Sequence, residues 1–98
     1  MNESRTFEWD ENKRRSNVQK HGIDFDDAKE VFTDPAAYTF SSSTTTAERR
    51  YVTVGLVKGL LIAVISTLRG SAIRIISARA AGRKERDFYG SENSKENP

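Results

Sequence analysis

Residues 51–77 read YVTVGLVKGLLIAVISTLRGSAIRIIS, and this stretch decides the fold. Tyr51–Val57 is rich in valine and opens on an aromatic, which suits a strand. Lys58-Gly59 makes a tight turn into residues 60–68, a continuous apolar run that reads as a central strand. Arg69-Gly70-Ser71 turns the chain back into residues 72–77. Three strands joined by two tight turns form an antiparallel meander.

On the N-terminal side, Phe7-Glu8-Trp9 alternates as a short strand does, and Asp10 is a good N-cap with Glu11 in the first turn behind it. Residues 11–20 are almost wholly polar, so their helix lies on the surface, anchored by Val18 and the flanking aromatics. Lys20 and His21 suit its last turn, and Gly22 its stop. Asp24 caps a second helix whose Phe25, Ala28, Val31 and Phe32 recur at helical spacing, and Asp34-Pro35 ends it. Residues 38–40 read as a strand and 41–46 as a polar loop. On the C-terminal side, Gly82 starts a last helix that runs to about Tyr89, and residues 91–98 read as a disordered polar tail. The order predicts an α+β domain over residues 1–90: a small antiparallel sheet with two N-terminal helices and one C-terminal helix.

Composition narrows the function. Ninety-eight residues bound one domain, and a net charge of +2 does not by itself argue for nucleic acid. The distribution says more. Residues 69–86 hold Arg69, Arg74, Arg79, Arg83, Lys84 and Arg86 against Glu85, whereas residues 24–34 hold Asp24, Asp26, Asp27, Glu30 and Asp34 against Lys29. Such a molecule presents a basic pole to a polyanion. The absence of cysteine excludes disulfides and thiolate metal sites, and one histidine, His21, argues against zinc, so no metal or cofactor is expected. The N-terminus has no apolar signal region, and the apolar run at residues 60–65 is too short to span a bilayer, so a cytoplasmic protein without membrane contact is expected.

Guanidinium groups bind phosphate bidentately and keep their charge. Arg79 and Arg83 lie at a strand-to-helix junction, where free backbone N–H groups also gather, and are the strongest phosphate candidates. Arg74 alternates with Ile73 and Ile75 and so points away from them. It either joins the phosphate surface or pairs with an acidic residue of the second helix. Arg69 stands at a hairpin tip, and Arg50 shares a strand face with Val52 and Val54. Glu85 follows Gly82 by three residues and can reach back to cap the last helix or act as a base. Tyr89, one turn on, either contacts a base or packs on the sheet. His21 is the one side chain that ordinarily titrates near neutrality, as a general acid or base requires, or it is only a cation at a helix C-terminus.

At these residues the chain resembles the BrnT family of type II toxins. The matching pieces are Phe7-Glu8-Trp9-Asp10, Lys13, Asn17, Lys20-His21-Gly22-Ile23, Phe25, Ala28, Val31-Phe32, Asp34-Pro35, Glu48-Arg49-Arg50-Tyr51-Val52, Gly55 and Arg74-Ile75-Ile76-Ser77-Ala78-Arg79, with Glu85 and Tyr89. Each is weak alone, but their order and spacing together are specific. The resemblance implies a RelE-like fold and a ribonuclease that blocks translation. It also implies a BrnA-type ribbon-helix-helix antitoxin that neutralises the toxin in a heterotetramer and carries it to operon DNA. By match, Lys20, His21, Arg79, Arg83 and Glu85 are the catalytic candidates, and Arg50, Arg69, Arg74, Ser77 and Tyr89 the RNA-binding ones. Gly82 departs from the threonine and Ala80 from the further basic residue common in the family. The rival expectation is a binding module without catalysis, whose basic face docks an acidic partner helix or nucleic acid.

Overall fold

The computed structural model describes residues 6–42 and 48–95. The meander forms as its pattern dictates: β3 (Tyr51–Val57), β4 (Leu60–Arg69) and β5 (Ala72–Ala80) pair antiparallel in sequence. Lys58 and Gly59 both take positive φ (52° and 81°), the conformation whose twist matches a two-residue hairpin. β2 (Tyr38–Ser41) adds antiparallel to β3, and β1 (Thr6–Glu8) adds to the other edge, giving the strand order β1-β5-β4-β3-β2.

The expectation of an antiparallel sheet is corrected at β1, which runs parallel to β5 with Phe7 opposite Ile73 and Glu8 opposite Arg74. The sheet is therefore mixed. The helices α1 (Glu11–His21) and α2 (Phe25–Ala28), followed by a 3-10 turn at Lys29–Thr33, carry the chain between the two outer strands, from β1 to β2. This segment takes the chain from one edge of the sheet to the other, and no local turn signal reveals where β1 pairs. The second helix is shorter than its spacing suggests. Beyond Ala28 the Thr33 hydroxyl donates to the Glu30 carbonyl and tightens the chain, and Pro35 stops it.

The helical layer covers one face of the sheet. Phe25, Ala28 and Val31 are fully buried there against Val57, Ile62, Val64, Ile75 and Ala78, with Phe7, Trp9 and Phe32 at the margin. Burial of a side chain such as Phe25 contributes roughly 1.5–3 kcal/mol. Gly55 lets the 3-10 turn approach β3, since a Cβ there would stand 2.9 Å from Val31 and 3.0 Å from Ala37. The opposite face carries a smaller cluster of Val52, Val54, Ala63 and Ala81, flanked by Tyr38, Leu61 and Ile65, on which α3 (Arg83–Lys95) begins. That helix runs past the expected end at Tyr89 and takes in the start of the stretch read as a polar tail. Residues 96–98 of that tail, and residues 43–46 of the polar loop together with Ala47, lie outside the described residues.

The anchor of α1 is not Val18, which is 40% exposed. The helix has no apolar stripe, and its one buried residue is Asn17. The Asn17 amide donates to the carbonyls of Ile23 (2.8 Å) and Ala78 (2.8 Å), and its Oδ1 accepts from the Ala78 N–H (3.1 Å) and the Ser77 hydroxyl (3.3 Å). Every hydrogen-bonding site of the side chain is used. Asn17→Ala strands two buried groups of Ala78 and one of Ile23, so it is expected to lower the unfolding free energy by about 3 kcal/mol in urea titration. Val18→Ala should stay within about 0.5 kcal/mol. Equal effects of the two would remove Asn17 from this role.

Candidate functional site

Simple alternation along β5 puts Arg79 with Ile73 and Ile75, on the buried face, and Arg74 on the other. The structure places both arginines on the same face. Ile65 pairs with Ser77 but Ser66 pairs with Ile75, so Ile76 is an extra residue, a β-bulge. After it the parity of the strand changes. Arg74 stands opposite Thr67, Ser77 opposite Ile65 and Arg79 opposite Ala63, all on the side away from the helical layer, while Ala78 enters the core. Alternation also puts Arg50 on this side, one step beyond Val52.

Arg79 is held by Glu85. Its two terminal nitrogens donate to Oε1 (2.8 Å) and Oε2 (2.9 Å) of the carboxylate, and the Gly82 N–H donates to the same Oε1 (2.7 Å). Glu85 therefore caps α3, as its spacing from Gly82 predicts. The hydrogen bond from Arg79 holds the Glu85 carboxyl below its usual range; burial opposes this and the Gly82 amide reinforces it. Reciprocally, Glu85 raises the Arg79 pKa against the effect of burial. Glu85 is thus an ionised carboxylate with both oxygens occupied.

Arg74 also has a partner, Glu8, at 3.0 Å. The acidic residue comes from the neighbouring strand β1 and not from the second helix, because the parallel register sets Glu8 directly opposite. The ion pair is half-exposed, so Arg74 is held in place while remaining open to solvent. Arg50 is exposed and has no ion pair among the described residues.

The remaining candidates are dispersed. Arg83 is exposed at the first turn of α3, without an ion pair among the described residues. The Tyr89 hydroxyl donates to Asp34 Oδ2 (2.8 Å), and Asp34 also accepts from the amides of Leu56 and Ala36. Burial alone would raise the Asp34 pKa, but these donors outweigh it and lower it. Tyr89 thus fastens α3 to the turn before β2. Arg69 lies at the far end of β4, six residues beyond the partner of Arg79 and about 20 Å away along the strand. It pairs loosely with Glu48 (3.6 Å). Lys20 and His21 are exposed in the last turn of α1 and make no contact with the arginine face among the described residues. Their helix is tied through Asn17 to Ala78, the neighbour of Arg79. Sequence reasoning gave Asn17 no task, and a lone asparagine on a polar helix gives no signal of one.

Among the described residues no group of three or more His, Cys, Asp or Glu is placed to hold a metal ion, and no helix is long and apolar enough to cross a membrane. Comparison with protein families matches residues 9–85 to the family described as "Ribonuclease toxin, BrnT, of type II toxin-antitoxin system". No curated protein matches the chain.

The lowered Glu85 pKa makes a prediction about acid stability. A carboxyl depressed in the folded state adds stability that is complete above its usual value of 4.5 and disappears as pH falls through the depressed value. Glu85→Gln should therefore be less stable than wild type at pH 7, with the gap closing below pH 4.5 in thermal melts across pH. A gap that stays constant with pH would contradict the ionised Arg79–Glu85 pair.

Proposed function

Since the chain belongs to the BrnT family of ribonuclease toxins of type II toxin–antitoxin systems, we propose that it cleaves RNA without a metal ion and so inhibits translation. In the same reading, a BrnA-type ribbon-helix-helix antitoxin neutralises it in a heterotetramer that reaches operon DNA only through the antitoxin. The observation that carries the proposal is the arginine face of β5, where the bulge at Ile76 brings Arg74 and Arg79 to the same open side of the sheet, about 13 Å apart along the strand.

Metal-free cleavage needs three things from these residues. The 2′-hydroxyl oxygen forms a bond to the adjacent phosphorus while the bond to the 5′-oxygen breaks, and the phosphate gains negative charge on the way. Arg79, with Arg83 at the helix start, neutralises that charge; the phosphate competes with Glu85 for the Arg79 fork and displaces the carboxylate from it. The 2′-hydroxyl proton passes to the Glu85 carboxylate displaced from Arg79, and that carboxyl returns it to the leaving oxygen; Lys20 and His21, set apart from the arginine face, take no step in it. Arg50, Arg69, Arg74, Ser77 and Tyr89 complete the set assigned to RNA binding, with Ser77 nearest to Arg79 in register and Arg74 and Arg50 further along the sheet.

Purified protein should cut RNA in EDTA and leave DNA intact. Arg79→Lys keeps the charge and loses the fork, so it should slow cleavage by roughly 100-fold. Expression alone should arrest growth, and co-expression of a ribbon-helix-helix antitoxin should restore it. Cleavage that requires added metal, or full activity in Arg79→Lys, would contradict the scheme.

A further inference from the structure

The open sheet face carries a feature that this chemistry leaves unused. On the edge strand β2, Tyr38 lies in one row with Val54, Ala63 and Arg79, and Phe40 in the next row with Val52, Ile65 and Ser77. Directly opposed residues share a face, so these rings stand on the arginine side. Phe40 is 41% exposed, and Phe88 of α3 is 48% exposed. The two flank Tyr38: Phe40 nearly parallel to it at 6.2 Å and Phe88 edge-on at 4.6 Å. Arg50, exposed and without an ion pair among the described residues, lies one step beyond Val52, the partner of Phe40.

The patch is fixed to the arginines. The Tyr38 hydroxyl donates to the Glu85 carbonyl (2.9 Å), and the side chain of that same residue grips Arg79. The spacing from β2 to β5 is three strands, about 14 Å, within reach of a few nucleotides. Exposed rings beside cations on a flat surface are what proteins use for unpaired nucleic acid, because every base offers a π face for stacking. A duplex keeps those faces buried.

We propose that Phe40 and Phe88 form a base-stacking subsite for single-stranded RNA, which seats unpaired bases while the backbone passes Arg50 toward Arg74 and Arg79. The inference rests on the ribonuclease reading for its ligand, and it adds a selection for unpaired bases at a site distant from the scissile phosphate.

The test is fluorescence anisotropy with a short, unstructured RNA oligomer whose 2′-hydroxyls are methylated and so cannot be cleaved. Wild type is compared with Phe40→Leu, Phe88→Leu and the double variant, which keep apolar bulk and remove the rings; thermal melts confirm that each is folded. The double variant is expected to bind about 10- to 100-fold more weakly, while an abasic oligomer of equal length binds wild type and variant alike. Equal affinity of wild type and double variant for the base-carrying oligomer overturns the subsite. Unchanged RNA affinity with lost antitoxin binding also overturns it and assigns the patch to a protein partner. Wild type that binds as described yet cuts no RNA sinks the ribonuclease reading and leaves the stacking subsite standing.

Discussion

β5 pairs with β1 only as far as Arg74, and beyond that point its outer edge has no strand beside it. Asn17 takes the missing strand's place. Its side-chain amide presents to Ala78 the donor and acceptor that a neighbouring peptide would present, and a third hydrogen bond ties down the Ile23 carbonyl after α1. The bulge at Ile76 lies immediately before this clamp. A strand without the extra residue would turn Arg79 toward Ile75 and the core, where an unpaired guanidinium is destabilising by several kcal/mol. The bulge, fixed by Asn17, therefore delivers Ala78 to the core and Arg79 to the open face, and the placement of the candidate site depends on it.

The open face is organised by carboxylates that hold other groups in place. Glu85 joins Arg79 to the Gly82 cap, so the position of the arginine and the start of α3 are one arrangement. Asp34 joins Tyr89 to the end of β3 through the Leu56 amide. Tyr38 joins the edge strand to the Glu85 carbonyl. α3 itself is mostly polar, and these polar ties together with the Phe88–Tyr38 contact do for it what an apolar stripe does for other surface helices. Glu8 holds Arg74 in the same manner from β1. The arginines are thus preorganised by partners that a phosphate has to compete with.

Much of this was legible in the sequence because it is local. Valine-rich runs, a Lys-Gly turn and a Gly70 turn give the meander directly. Gly22 stops α1, and the Gly82–Glu85 spacing gives the cap of the last helix. What stayed hidden depends on distant partners. β1 pairs in parallel with β5, the last strand in the sequence. The bulge falls within Ile75-Ile76, two apolar residues that interrupt the alternation without a glycine or proline to mark it. Arg74 was expected to reach an acid on the second helix, but the parallel register supplies Glu8. Val18 drew attention as the one aliphatic residue of a polar helix, while the anchor proved to be a polar side chain whose hydrogen-bonding capacity is fully used. The basic residues were visible from the start; which of them share a face was not.

We propose that one sheet face, set by the Ile76 bulge, receives RNA on Arg50, Arg74 and Arg79. The most direct test is an NMR titration of the arginine side-chain Nε–H resonances with uncleavable single-stranded RNA. Arg50, Arg74 and Arg79 should shift together and saturate at one RNA concentration, while Arg14 and Arg15, on α1, stay unmoved. Shifts confined to Arg14 and Arg15, or an Arg79 signal that ignores RNA while others respond, would contradict it.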